Sequence, residues 1–435
     1  MSNQKLTKNE VAWEKLFIKY KILEKVQRKG FFIITSKQIN EIQREARLMT
    51  KFDHSVNLPN LFSENNLAIL PITRGSYIIS KFEAYKILEQ SDDEIIKVSL
   101  PKYIESIDYN NLTSESMALN CAYVSSILSD FLEDKQLVPT VSGRMSSGTF
   151  SFYLRNTDIN SKMKIDVKNS QIEIDGGFEG EKKLAIIEAK LFISEDFLIR
   201  QLYYPFRLWS KKVSKKIVPV FMIYSNGTFN LYQYEFEDAE NYNSLVLVKQ
   251  KNYSLEAVEI TLTDIINVMK KIKYIEEPKV PFPQADNFKR IINLCEILSK
   301  GDMTKDEITL NYAFTERQTK YYTDAALYLR LINKSIKDHE ITFSLNPEGY
   351  KILHLDYKQR HLKLVEAILK HKTFGETFKL YLRYRNIPSK EEIVNIMKQA
   401  KLYNISSFST FDRRASTVRG WIKWIVNLQK GQITE

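Results

Sequence analysis

Residues 171–209 read QIEIDGGFEGEKKLAIIEAKLFISEDFLIRQLYYPFRLW. Two short apolar segments flank a glycine-containing turn. The first ends in Asp175 and the second carries Glu188-Ala189-Lys190. Asp175 at the end of one strand and Glu188 on the next are brought together by a hairpin. Glu188 and Lys190 are two residues apart, so on a strand they project to the same face. Phosphodiester cleavage needs a hard cation with oxygen ligands, and one or two carboxylates suffice because the ion keeps part of its water shell. Asp175 and Glu188 are therefore candidate Mg²⁺ ligands, with the carbonyl of Ala189 as a third. Lys190 is placed to orient the attacking water or to stabilise charge on the phosphate.

Glu-x-Lys by itself is common and usually marks a solvated strand face. Here its flanks, Leu184 to Ile187 and Leu191 to Ile193, form an apolar run that suggests a strand buried on both faces. A Glu and a Lys inside such a run must be paired, bound to a metal, or set at an open edge of the core, because isolated buried charges are expensive. A structural ion pair is the competing reading.

The elements around the motif extend the pattern. Ser194-Glu195-Asp196 is read as a helix start, with Phe197, Leu198 and Leu202 on its apolar face. Lys216 to Ser225 reads as a strand, Asn226-Gly227 as a two-residue hairpin turn, and Thr228 to Phe236 as the returning strand. Gln201 falls on the crossover helix. Glu115 opens an earlier helical pattern with Ala118, Cys121, Ala122, Ile127 and Leu128 at helical spacing. Glu115 either faces the metal or complements the helix dipole, and Gln201 is either a site amide or an ordinary helix-surface one.

This stretch resembles the PD-(D/E)XK nuclease superfamily, in the order Asp175, Glu188, Lys190 and in the succession strand, strand, helix, strand, strand. The usual Pro before the Asp is replaced by Ile174. The segments GRMSSGTF, IDGG with IIEAK, RQLYYPFRLW and RRASTVRGWIKWI together resemble a group of prokaryotic type II restriction endonucleases. The resemblance implies an α+β or α/β multidomain chain with a mixed central sheet flanked by helices. It further implies Mg²⁺-dependent hydrolysis of both strands of duplex DNA leaving 5′-phosphates, a homodimer at least on DNA, and a cognate DNA methyltransferase protecting the host. Glu115 and Gln201 are carried as further catalytic residues on the same ground.

Composition bounds the remainder. The 435 residues carry 43% hydrophobic side chains, enough for several cores, and a net charge of +11. From Lys351 to Glu435 seventeen Lys and Arg face seven Asp and Glu, so a net +10 sits in the last 85 residues. A basic end interleaved with aromatics is an electrostatic footprint for a phosphate backbone. Two cysteines, Cys121 and Cys295, offer neither a disulfide framework nor metal-ligand spacing, so a cytoplasmic location is expected. No apolar run reaches the length of a membrane span, and neither a phosphate-loop pattern nor a zinc-ligand spacing is present.

Four domains are expected: 1–105, mixed, with a possible role in DNA recognition; 106–276, the nuclease core; 284–355, a winged helix; and 356–435, a basic helical domain. Asn287 to Leu298, a helix opened by the capping box Thr304 to Glu307, and a third opened at Thr315 supply the three helices. Glu340 to Ser344 and Tyr350 to Leu353 are read as the wing. The third helix presents Arg317, Gln318, Lys320 and Tyr321 near its start, where a recognition helix meets base edges. The last segment carries Arg413, Arg414, Arg419 and Lys423 beside Trp421 and Trp424, with Trp421, Ile422 and Ile425 facing inward. Residues 142–154 read as a Ser/Gly loop running into a strand, whose Arg144 either reaches DNA or belongs to a connector. For the basic residues a solvated surface is the alternative to DNA contact. At the level of the whole chain the alternatives are a repair, mobile-element or defence nuclease reading DNA structure, and a non-catalytic winged-helix regulator.

Overall fold

The computed structural model describes residues 7–89, 95–157, 162–255, 259–400, 402–403, 405 and 407–429. The amino-terminal part contains α1 (Lys8–Tyr20), α2 (Ile22–Lys29), β1 (Phe31–Thr35), α3 (Ser36–Asn40), α4 (Ala46–Met49), α5 (Asn60–Glu64), β2 (Ala68–Thr73) and β3 (Ser76–Ser80). Thr7 and Glu10 close a capping box at the start of α1. α1 and α2 meet at Lys21, which has φ 50° and turns the chain from one helix into the next. Trp13 and Phe17 meet Phe62 edge to face, Phe52 packs on Phe62 at a tilt, and the four join the core against the β1-β3-β2 sheet, giving this part a core of its own.

The middle part contains β4 (Tyr85–Ile87), β5 (Ile95–Lys97), α6 (Glu115–Val124), α7 (Ile127–Leu132), β6 (Val138–Ser146), β7 (Thr149–Arg155), β8 (Lys162–Lys168), β9 (Gln171–Glu179), β10 (Lys183–Lys190), β11 (Asp196–Leu198), α8 (Arg200–Trp209), β12 (Lys216–Ser225), β13 (Thr228–Phe236), β14 (Leu245–Ser254) and α9 (Leu262–Lys271). Seven strands form a mixed sheet in the order β5-β14-β13-β12-β10-β9-β6. β10 runs parallel to β12 and β5 parallel to β14; the remaining pairs are antiparallel. β10 and β12 are buried on both faces, as their unbroken apolar runs require. One face packs Ala185, Ile187 and Val220 on α6 and α7. The other packs Phe221, Ile223 and Tyr234 against α8 and the β7–β8 hairpin. The fully buried Ile, Val and Phe side chains among these contribute roughly 1.5–3 kcal/mol each. Asn226 (φ 56°) and Gly227 (φ 72°) make the two-residue turn between β12 and β13.

The carboxy-terminal part contains α10 (Phe288–Leu298), β15 (Met303–Thr304), α11 (Lys305–Asn311), α12 (Glu316–Tyr328), β16 (Ile332–Lys337), β17 (Glu340–Leu345), α13 (Pro347–Leu353), α14 (Tyr357–Leu369), α15 (Lys372–Tyr384), α16 (Lys390–Gln399) and α17 (Phe408–Asn427). α10, α11 and α12 pack with a three-stranded sheet in the order β15-β17-β16. One continuous apolar cluster runs from Ile260 through Phe288, Tyr328 and Phe374 to Trp421 and Ile425, so the stretches 284–355 and 356–435 share a core. The molecule is thus a mixed α+β multidomain protein with a seven-stranded mixed central sheet and a helical carboxy-terminal region. Among the described residues no helix is long and apolar enough to cross a membrane.

Three local expectations are corrected. The helix expected from Ser194 begins at Arg200. Asp196 to Leu198 instead pairs with β4, and the Asp196 carboxylate accepts from the backbone and hydroxyl of Ser55, tying down the amino-terminal part rather than capping a helix. Tyr350 to Leu353 is helical, because Asn346 caps the segment and Pro347 presets its first turn. The hairpin is β16–β17, turning at Asp338 and His339 with φ 48° and 63°. Residues 142–146 belong to β6, an exposed edge strand on β9 with register shifts around Val141. Those bulges explain Gly177: a Cβ there would lie 2.6 Å from Val141 Cβ.

Candidate active site

The β9–β10 ladder runs from Leu184↔Glu179 to Ile187↔Gly176, which carries Asp175 up to Glu188. At that point a side chain replaces the backbone partner: the N–H of Ala189 donates to Asp175 Oδ2 at 2.8 Å. On its other edge β10 continues beside β12 as far as Lys190↔Ile223. The strand end bearing Glu188, Ala189 and Lys190 is therefore open toward β9 and backed by the sheet.

Glu188 and Lys190 share the expected face, at 7% and 8% exposure. Lys190 Nζ donates to Glu188 Oε1 at 2.5 Å, and Gln201 Nε2 on α8 donates to the same oxygen at 2.6 Å. Glu115, at the first position of α6 with Ser114 as its cap, puts Oε1 4.0 Å from Lys190 Nζ. The five side chains named from sequence, Asp175, Glu188, Lys190, Gln201 and Glu115, thus come together.

Electrostatics follow from burial. Desolvation pushes the Glu188 carboxyl up to about 8, against the pull of Lys190. Desolvation also raises Asp175 and Glu115, each opposed by Lys190. Burial works against the Lys190 ammonium, yet Glu188, Asp53, Glu115 and Asp175 outweigh it and hold its pKa above the ordinary value. Lys190 is a fixed cation, unsuited to act as a base.

Sequence reading missed several groups here. Asp53, from the segment before α5, acts electrostatically on Asp175, Glu188 and Lys190. Its backbone carbonyl accepts from Leu198, and Lys51 Nζ lies 3.7 Å from its carboxylate. Lys51 and Lys300 both act on Glu115. Asn293 on α10 bonds to the backbone at Leu191 and Ile193. None carries a local signal, because each is far from the motif along the chain.

Among the described residues no three His, Cys, Asp or Glu side chains form a ready cage for a metal. The donor set is nonetheless that of a hard cation: two carboxylates and the Ala189 carbonyl, with water to complete the shell. Gln201 Oε1 is buried without a hydrogen-bond partner, a free acceptor beside Glu188. The residues present fit Mg²⁺.

Three family models match successive stretches of the chain. All describe domains of unknown function: DUF6996 over residues 10–79, DUF6997 over 80–254 and DUF7226 over 290–430. Comparison with curated proteins and with solved structures gave no match. The middle match holds Glu115, Asp175, Glu188, Lys190 and Gln201; Asp53 falls in the first, Asn293 and Lys300 in the third. The site draws on all three stretches.

The candidate DNA-contacting residues separate. Arg144 is exposed on edge strand β6 and pairs with Glu173 on β9 at 3.1 Å. On α12, Arg317 and Lys320 are exposed; Arg317 Nε donates to Tyr321 at 2.7 Å. Gln318 is engaged in the capping box with Thr315. On α17, Arg413, Arg419 and Lys423 are exposed, while Arg414 is half-buried beside Tyr321 and Asp324 of α12. Helical spacing sets Arg419 and Lys423 on one side of α17 and Arg414 on another, so these residues do not form a single row. Trp421, Ile422 and Ile425 face the core.

Proposed function

We propose that the chain is a Mg²⁺-dependent endodeoxyribonuclease of the PD-(D/E)XK type that cuts both strands of duplex DNA at specific sites, as a type II restriction endonuclease. The observation that carries this reading is the meeting of Asp175, Glu188, Lys190 and Gln201 at the parted ends of β9 and β10. Mg²⁺ would be held by Asp175, Glu188 and the Ala189 carbonyl, and when bound it supplies polarisation of the phosphate and a water acidic enough to attack. Lys190 places a permanent positive charge beside the phosphate and offsets charge developing on its oxygens. Gln201 holds Glu188 through Nε2 and leaves Oε1 free to accept from the attacking water. Glu115, raised by burial and 4.0 Å from Lys190, is the group we assign to take up the proton that this water releases.

The exposed Arg317 and Lys320 on α12, the β16–β17 hairpin and the arginines of α17 support a winged-helix reading of residues 284–355 and DNA as the partner. Two sites are needed to cut two strands, so the enzyme acts as a homodimer on DNA, with a cognate methyltransferase protecting the host. The test is incubation of the purified protein with unmethylated phage DNA in Mg²⁺ or EDTA, alongside Asp175→Ala and Lys190→Ala. Discrete Mg²⁺-dependent fragments that both variants lose are expected. A smear, or cleavage restricted to branched substrates, would replace site specificity by structure reading. Metal-independent binding without cleavage would leave a DNA-binding regulator.

A further inference from the structure

The strand end that carries Ala189 and Lys190 is gripped from outside its own sheet. Asn293 lies on α10 at 3% exposure. Its Nδ2 donates to the carbonyl of Leu191 at 2.9 Å, and its Oδ1 accepts from the N–H of Ile193 at 3.1 Å. The second N–H of the same amide goes to Glu296 at 3.2 Å. One buried side chain thus closes a two-point clamp on the backbone immediately after Lys190, where β10 leaves the sheet.

The helix bearing this clamp is itself fixed on both sides. Glu296 accepts from Ser225 Oγ and from the Asn226 N–H, each at 2.9 Å, so α10 also holds the end of the parallel partner β12. One turn before Asn293, Arg290 lies 3.3 Å from Glu195 and donates to the carbonyl of Ala313 at 2.6 Å. Its guanidinium lies over the rings of Phe314 and Tyr322, 4.4 and 5.4 Å from their centroids. α10 therefore touches the chain just past Lys190 on one side and, on the other, the helix that presents Arg317 and Lys320.

We propose that Asn293 is a positioning residue for the nuclease site: it fixes the backbone that aims the Ala189 carbonyl and Lys190, and through it the carboxy-terminal region sets the geometry of the metal site. This rests on the nuclease reading. An amide suits the task because it donates to one peptide group and accepts from another two residues on, whereas an apolar side chain would leave both buried and unpaired. Displacing catalytic groups by about 1 Å can cost ~10²-fold in rate, and removing a group that orients a metal ligand typically weakens metal affinity about 10–100-fold.

The test compares Asn293→Ala and Asn293→Asp with Arg360→Met. Arg360 is a buried residue of the same interface that bonds to the Asn110 carbonyl at 3.0 Å and lies 4.0 Å from Glu296, so its loss loosens the docking of α10 while leaving the amide clamp on Leu191 and Ile193 in place. Three quantities are read: amide hydrogen exchange over residues 191–193, Mn²⁺ affinity by calorimetry, and single-turnover cleavage at saturating protein. For Asn293→Ala we expect faster exchange, Mn²⁺ binding weaker by about tenfold and cleavage slower by about 10²-fold, with DNA affinity in Ca²⁺ unchanged within about threefold. Asn293→Asp keeps the acceptor for Ile193 but loses both donors and sets a carboxylate against the Leu191 carbonyl and Glu296, so it should lose at least as much as Asn293→Ala. Arg360→Met lowers the melting temperature but leaves Mn²⁺ affinity and rate near wild type. Wild-type Mn²⁺ affinity and rate in Asn293→Ala, or equal losses in Arg360→Met, overturn the positioning role while a cutting, Lys190-dependent wild type keeps the nuclease reading. A wild type that neither binds Mn²⁺ nor cuts removes both.

Discussion

Lys190→Met separates the two things a buried cation does at this site. The substitution keeps most of the side-chain volume and removes the charge that lies 2.5 Å from Glu188 and 4.0 Å from Glu115. A cation about 4 Å from an anionic oxygen is worth roughly 4 kcal/mol at an effective dielectric of 20. Only the part that grows on reaching the transition state enters the rate, so a loss of ~10²–10³-fold in single-turnover cleavage is expected. Stability should respond differently. Breaking a buried pair by deleting one partner usually costs about 3–5 kcal/mol, because a bare charge is left inside. Here burial has already raised Glu188 to about 8, and Lys190 pulls that carboxyl down. Without Lys190 the acid form persists to still higher pH, so near neutrality Glu188 binds a proton instead of standing as a bare charge. The sign follows from the raised pKa: the stability linked to the protonated carboxyl is present at low pH and is lost as pH rises through and beyond about 8. Urea unfolding at pH 6 and pH 9 reads this out, with a destabilisation of about 1–2 kcal/mol at pH 6 that grows at pH 9. Cleavage within tenfold of wild type would show that Lys190 is not the charge at the phosphate. A destabilisation equally large at both pH values would refute the protonation of Glu188.

Three other perturbations probe the frame around the site. Gly177→Ala puts a Cβ 2.6 Å from Val141 Cβ and 3.2 Å from its carbonyl oxygen, so backbone of β6 must move; a loss of about 1–3 kcal/mol in urea unfolding is expected, and an unchanged midpoint would contradict the close approach. His371 is fully buried, stacked on Tyr328 at 4.1 Å, and held by burial at about 3. Because that pKa is depressed, its contribution is intact above about 6.5 and is lost as pH falls toward 3, by up to ~5 kcal/mol at 1.36 kcal/mol per unit. Unfolding followed by tryptophan fluorescence should show this loss in wild type and a smaller one in His371→Phe; parallel curves would contradict it. Arg317→Ala and Lys320→Ala remove exposed cations from the start of α12, and each should lower the slope of log affinity against log salt by about 1 if it meets a phosphate. An unchanged slope in fluorescence-anisotropy titrations removes α12 from the DNA surface.

The central sheet was legible because its signals are local and agree with one another. The apolar runs of β10 and β12 demand burial on both faces, Asn226-Gly227 demands a tight hairpin, and Glu188 and Lys190 share a face by strand periodicity alone. The capping box at Thr304 and the helix start at Thr315 likewise announced α11 and α12. Short strands were misread where pairing overrides local preference. Asp196 to Leu198 carries a helix-start pattern, but its partner is Tyr85 to Ile87, more than a hundred residues away. The first hairpin strand, Ile332 to Lys337, is exposed after Ile332 and carries Ile336 as its one further apolar residue, too little alternation to mark a strand.

The same distinction governs the site. Asp175, Glu188 and Lys190 stand out because one hairpin suffices to assemble them, and loop closure over so short a span costs little. Asp53 and Asn293 reach the site only through tertiary docking. The amino-terminal part is fastened by Ser55 on Asp196 and by the Asp53 carbonyl on Leu198, and the carboxy-terminal part by Asn293 on Leu191 and Ile193. Both sets of bonds end on the eight residues between Lys190 and Ile199. That segment joins the Glu188–Lys190 strand to the helix carrying Gln201, so movement of either flanking part bears on Lys190 at one end and on Gln201 at the other. On the proposed nuclease reading, DNA engaged at α12 would bear on the Glu188–Lys190 strand end without any long-range displacement, because α10 already touches both.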